Sequence, residues 1–160
     1  MKIVRYKRAD DITIEFQDKH KFQIDTTYVN FKRSINNPYD PRIYGKGYRG
    51  VGEVTYIKDG VTNGVYSIWK NILRRCYDET QRVNNPAYED CEMCDDWCNY
   101  QIFGGWHRDS WYDVGEGRMH VDKDILFKGN RLYSPETCIL VPQRINMIFM
   151  SKPKPSTSTS

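Results

Sequence analysis

No stretch of this sequence is apolar for long enough to cross a bilayer, so a protein with membrane-spanning helices is not expected. The opening residues, MKIVRYKRADD, lack the apolar segment of an export signal. Cysteine is scarce and odd in number, at five, which argues against a disulfide framework and for reduced thiols in a cytoplasm. A phosphate cradle is missing too. Gly45, Gly47, Gly50 and Gly52 crowd together, but no Gly-Lys-Ser/Thr ending follows and no GxGxxG opens a helix, so the stretch reads as an irregular loop. Charge of one sign is not in large excess. Lys and Arg number 24 against 21 Asp and Glu, and a net charge of +3 leaves the partner open.

What is present fits one domain with a small appendage, long enough at 160 residues to bury a usable core. Residues 2–7, 11–16 and 20–25 alternate and are rich in Ile, Val, Phe and Tyr, which predicts an antiparallel meander closed by Tyr28 and Phe31. Residues 54–57 add a possible strand. From Ser67, a good N-cap, Ile68, Trp69, Ile72, Leu73, Cys76 and Tyr77 recur at helical spacing. Lys70, Arg74 and Arg75 then share the other side, either as a phosphate-binding face or as an ordinary solvated one. Trp97, Tyr100, Phe103 and Trp106 continue at a near-helical interval, with Gly104-Gly105 expected to end or bend that helix. Cys91, Cys94 and Cys98 have part of a zinc spacing but no second pair, so Cys76, Cys138 or His107 would have to complete a site; the same cysteines also suit a core as small hydrophobes. The expected class is α+β, with a β-rich unit over 1–60, an α+β unit over 61–150 and a disordered tail over 151–160.

The stretch MHVDKDILFKGNRLYSPETCILVPQRINMIF, from Met119, organises the second unit. His120, Asp122 and Asp124 share one side of an alternating run over 119–126. A Gly-Asn turn follows, then an apolar strand over 138–141, then Pro142 leading a helix from Gln143. The two strands should pair antiparallel, with the helix packing across them through Ile145 and Ile148 or Phe149. Strand, loop, strand and helix in so short a span can hold a metal between the first strand and the helix.

Residues 66–149 carry a resemblance to phage-encoded HNH (ββα-metal) endonucleases of the homing or free-standing type. The matching pieces are SIWKNILRRCYDE, YEDCEMCDDWCNYQIFGGW, VDKDILFKGNRLYSPETCILVP and QRIN, and VNFKRSINNPYDPRIYGKGYRGVGE resembles the leader of the same proteins. The resemblance implies a host-cell cytoplasm, DNA as partner and a divalent cation, Mg²⁺ or else Mn²⁺ or Zn²⁺. It places Asp122 as the first metal ligand and Asn146 as the helix ligand, with Asp124 beside them. Lys123 stands where the family keeps its general-base histidine. The family's loop-tying asparagine aligns near Thr137, and Asn130 is its substitute.

Two readings follow. In the first, a metal-dependent DNA endonuclease uses His120 or Lys123 to activate water, while Arg118, Lys128 and Arg131 hold flanking phosphates. In the second, a degenerate HNH-like module binds DNA or a phage or host protein without cutting. The missing histidine favours the second, and the Asp–Asn frame favours the first.

Overall fold

Alternation in the first 26 residues becomes three strands, β1 (Lys2–Arg8), β2 (Asp11–Glu15) and β3 (Gln23–Thr26), in an antiparallel sheet ordered β1-β2-β3. This computed structural model describes residues 1–58, 60–115 and 118–150; the expected tail over 151–160 lies outside them. The register sets Ile3 opposite Ile14 and Ile12 opposite Thr26. Ile12, Ile14 and Phe16 are thereby buried together, with Ile3, Phe22, Phe31 and Ile35 packed against them. Thr27 caps the short helix α1 (Tyr28–Arg33), its hydroxyl accepting from the Asn30 N–H at 3.2 Å. Phe31 closes the sheet as expected, whereas Tyr28 stays exposed beside it.

The chain over 36–56 contributes to a second and larger core, to which Ile43, Val54 and Tyr56 belong. Gly47 passes so close to Trp69 and Leu73 that a side chain there would collide with both. A two-residue hairpin, β4 (Ile57–Lys58) with β5 (Val61–Thr62), leads into the long helix α2 (Gly64–Tyr77). Its cap is Asn63, which accepts from the Val65 N–H at 2.8 Å. Ser67, the expected cap, lies inside the first turn and donates to the Asn63 carbonyl at 3.3 Å. The helix starts earlier because an Asn side chain in the preceding turn already satisfies one of its free N–H groups.

Asp78 ends α2 and caps α3 (Glu79–Asn84). After a single turn over Pro86–Tyr88 comes β6 (Glu92–Met93), and Asn99 caps α4 (Tyr100–Asp109). Trp69 of α2 is fully buried and donates its indole N–H to the Trp97 carbonyl at 2.7 Å. Trp97, Tyr100 and Phe103 fill the space between α2 and α4. The glycine pair does not break α4. Gly104 lies in its middle, where a Cβ would stand 2.5 Å from Val54, so this glycine serves close packing.

The C-terminal stretch forms the unit that its pattern predicts, with shorter strands. β7 (Met119–Asp122) pairs antiparallel with β9 (Ile139–Pro142), and α5 (Gln143–Met150) follows directly. Between them β8 (Leu132–Tyr133) runs parallel to β6. Met119, Val121 and Leu140 enter the larger core, and α5 packs on β7 and β9. Ile145 is half-buried, whereas Ile148 and Phe149 are exposed. β7 stops at Asp122 instead of continuing to Leu126 because the Asp122 side chain turns the chain. Its Oδ1 accepts from the N–H groups of Asp124 and Ile125 at 2.7 and 2.8 Å. No helix among the described residues is long and apolar enough to cross a membrane.

Candidate functional site

The outer side of β7 and one face of α2 enclose a cleft of about 1000 Å³. His120, Asp122 and Asp124 line it from β7 and its loop, Asn146 from α5, and Ser67, Asn71 and Arg75 from α2. Arg118 stands at its edge, and His107 and Trp111 form a further wall.

His120 and Asn146 meet across the strand–helix junction. The Asn146 Nδ2 is 3.4 Å from His120 Nδ1. An amide nitrogen only donates, so Nδ1 accepts and the neutral ring carries its proton on Nε2. In this arrangement His120 offers a hydrogen-bond donor, Nε2–H, toward other groups, and the general-base role predicted for it needs the amide turned over so that Oδ1 receives Nδ1–H. Asn146 Oδ1 is buried without a hydrogen-bond partner among the described residues. A buried carbonyl oxygen of that kind costs stability unless a ligand satisfies it.

The acidic residues divide. Asp122 spends Oδ1 on the turn. Asp124 gives both oxygens to the Lys123 ammonium, at 2.9 and 2.8 Å. Lys123 is only 7 % exposed and also donates to the Asn130 carbonyl at 2.7 Å. Three acceptors thus occupy the three donors of one ammonium, which fastens the loop and offers no lone pair for a proton from water. The predicted base position is structural here, and Asp124 is bound to it.

Asn130 does tie the loop. Its Nδ2 donates to the carbonyls of Lys123 and Leu132, at 3.1 and 2.6 Å, and its Oδ1 accepts from the Leu132 N–H at 3.1 Å. Thr137 adds a hydroxyl bond to the same Leu132 carbonyl at 2.6 Å. Both candidates for the loop-tying position therefore act on one peptide.

The predicted phosphate contacts are scattered. Arg75 lies in the cleft with its guanidinium 5.4 Å over the Tyr88 ring, and Arg118 is exposed at the edge. Lys70 lies over Tyr66 at 5.8 Å, and Arg74 is exposed outside the cleft. One residue turns an α-helix by about 100°, so Arg74 and Arg75 cannot share a stripe. Arg131 donates to the carbonyls of Ala87 and Glu89, at 3.0 and 2.7 Å, and so braces the turn before β6; Lys128 is exposed on the loop.

For zinc, no group of three or more His, Cys, Asp or Glu side chains converges among the described residues. Cys91 is buried in the larger core with Cys94 packed against it, Cys98 is buried as well, and burial pushes the Cys98 thiol up to about 11. The cysteines thus occupy core positions as small hydrophobes. A hard divalent cation makes a different demand, because Mg²⁺ keeps several waters and takes one or two protein oxygens plus phosphate. The second oxygen of Asp122 and the unpartnered Oδ1 of Asn146 are oxygens of the kind such an ion takes.

Sequence reasoning missed the aromatic wall. His107 is 5 % exposed, Trp111 stacks on it at 5.8 Å, and Nε2 of His107 has no partner among the described residues. Burial lowers the pKa of His107. The sequence offers His107 only as a distant companion of the cysteines, and a histidine within an aromatic run carries no signal of facing a cleft. No protein-family model, curated protein or solved structure matches the chain.

Proposed function

We propose that this chain is a divalent-cation-dependent nucleic-acid phosphodiesterase of the ββα type. One observation carries the reading. His120 of β7 and Asn146 of α5 meet at 3.4 Å in a cleft that also receives Asp122, inside a strand–loop–strand–helix unit whose loop is tied by Asn130. Asp122 and Asn146 Oδ1 would hold the cation. Such an ion, when bound, stabilises charge on the phosphate and lowers the pKa of water. His120, with Nε2–H free, donates a hydrogen bond to a phosphate oxygen, and Asn146 assists by fixing the tautomer. Arg75 and Arg118 supply charge for flanking phosphates.

A second reading, a nucleic-acid-binding module that does not cut, is favoured by the Lys123–Asp124 pair. That pair occupies the position of the base and removes one carboxylate from the site. Incubation of the protein with plasmid DNA in Mg²⁺ or Mn²⁺, against EDTA, separates the two. Cation-dependent nicking that is lost in Asp122→Ala and Asn146→Ala supports the phosphodiesterase. Retarded but intact DNA under every condition supports the binder.

A further inference from the structure

We propose that the cleft accepts an unstacked nucleotide, so that the preferred ligand is single-stranded or locally opened nucleic acid and not a continuous duplex. The inference rests on the nucleic-acid reading of the same cleft and adds a substrate class to it. A phosphate backbone alone needs only a charged surface, whereas this cleft has the volume of pockets that enclose whole small molecules, about 300–1,000 Å³. Its wall is aromatic. Trp111 is 51 % exposed, although Trp69 and Trp97 are fully buried and Trp106 is half-buried. Its indole stacks on His107, tilted by 29°, and His107 is the one described ring in contact with it.

The platform is held in place. Beyond the end of α4, the Trp111 N–H bonds to the Arg108 carbonyl at 3.2 Å. The next residue, Tyr112, donates its hydroxyl to the Leu140 carbonyl of β9 at 3.1 Å. A fixed, half-exposed indole at a cleft is a surface on which any base can stack. The cleft also supplies polar groups for a base edge. Asn71 is exposed on α2, and the His107 ring lines the same space. Cations accompany them, since Arg75 and Arg118 line the same space. An indole face, amide and imidazole groups and two guanidinium groups together match base and phosphate. In a continuous duplex the base faces are covered by their neighbours and the indole would find nothing to stack on.

Tryptophan fluorescence tests this directly, because Trp111 is the exposed indole. The full chain in EDTA is titrated with a labelled single-stranded oligonucleotide, the same sequence as duplex, and a duplex carrying one bulged base. The expected result is quenching and tighter binding with the single strand and the bulge, by about tenfold or more over the duplex. Trp111→Leu should remove the quenching and erase that preference, Trp111→Phe should keep most of it, and Asn71→Ala should weaken the bulged ligand. Equal affinity for all three ligands, or a preference unchanged in Trp111→Leu, overturns the proposal. The phosphodiesterase can fail separately. Single-strand preference without cation-dependent cutting leaves the unstacked-nucleotide cleft standing, and cutting of duplex with no role for Trp111 leaves the enzyme standing and removes the cleft's preference.

Discussion

His107 couples the cleft wall to pH. It is 5 % exposed, and burial lowers its pKa from the ordinary 6.5. The neutral ring is therefore the native form, while the unfolded chain takes up a proton near the ordinary value. A base depressed in this way contributes its stability in full above the unfolded pKa and loses it as pH falls through that value toward the folded one. The slope for one such proton is at most about 1.4 kcal/mol per pH unit. Urea unfolding should thus show stability declining from about pH 7 to pH 5, and His107→Gln should flatten the decline. A variant with the wild-type pH slope would assign the titration to another group.

At the scale of elements, the two adjacent glycines of α4 make opposite demands. A Cβ on Gly104 would meet Val54 at 2.5 Å, whereas one on Gly105 meets nothing within 4 Å. Gly104→Ala forces helix and loop apart, and overpacking of this kind costs about 1–3 kcal/mol. Gly105→Ala should raise stability by up to about 1 kcal/mol, because alanine is the better helix former. Thermal unfolding of the two variants should move in opposite directions, and equal shifts would mean that the pair is not packed as described. The same pair shows what a sequence conceals. The aromatic spacing from Tyr100 to Trp106 is visible as a helix period, with Trp97 in the turn before the Asn99 cap, but no local property of Gly-Gly tells close packing from a break. The order of the main elements was legible as apolar period and turn residues: the N-terminal meander, α2, β7, β9 and α5 lie where the pattern places them, whereas the short α1, α3, β5, β6 and β8 carry no such signal. Ends were less so, since β7 stops where a carboxylate caps backbone N–H groups and α2 starts at Asn63, both decided by single side chains. Of the candidate site, His120, Asp122 and Asn146 line the cleft; strand alternation sets the first two on one side, whereas Asn146 enters only through the family resemblance. The burial of Lys123 and the aromatic wall depend on how distant segments pack, and nothing in their neighbours along the chain records it.

Across the molecule, the cleft divides the cations into those able to follow a strand into it and those that lie elsewhere. Arg75 lines it and Arg74 does not. Each phosphate contact adds about one unit to the salt dependence of binding. Arg75→Ala and Arg118→Ala should each flatten the slope for a single strand by about that amount, and Arg74→Ala should leave it unchanged. Identical slopes in Arg74→Ala and Arg75→Ala would place the ligand on another surface. The two cores differ in another respect. Ile12, Ile14 and Phe16 are the buried residues of the first, whereas the second buries Trp69, Trp97, Tyr100 and Phe103 with many aliphatic neighbours. Local opening costs less where less apolar surface is lost. The amides of β2 should therefore exchange with deuterium ahead of those in α2 and α4, through a partly open form in which the sheet has come apart while the cleft is still closed around its hairpin. Ligand bound in that cleft would slow exchange in β7 and α5 and leave the sheet's rate almost untouched, giving the chain two clocks that run independently.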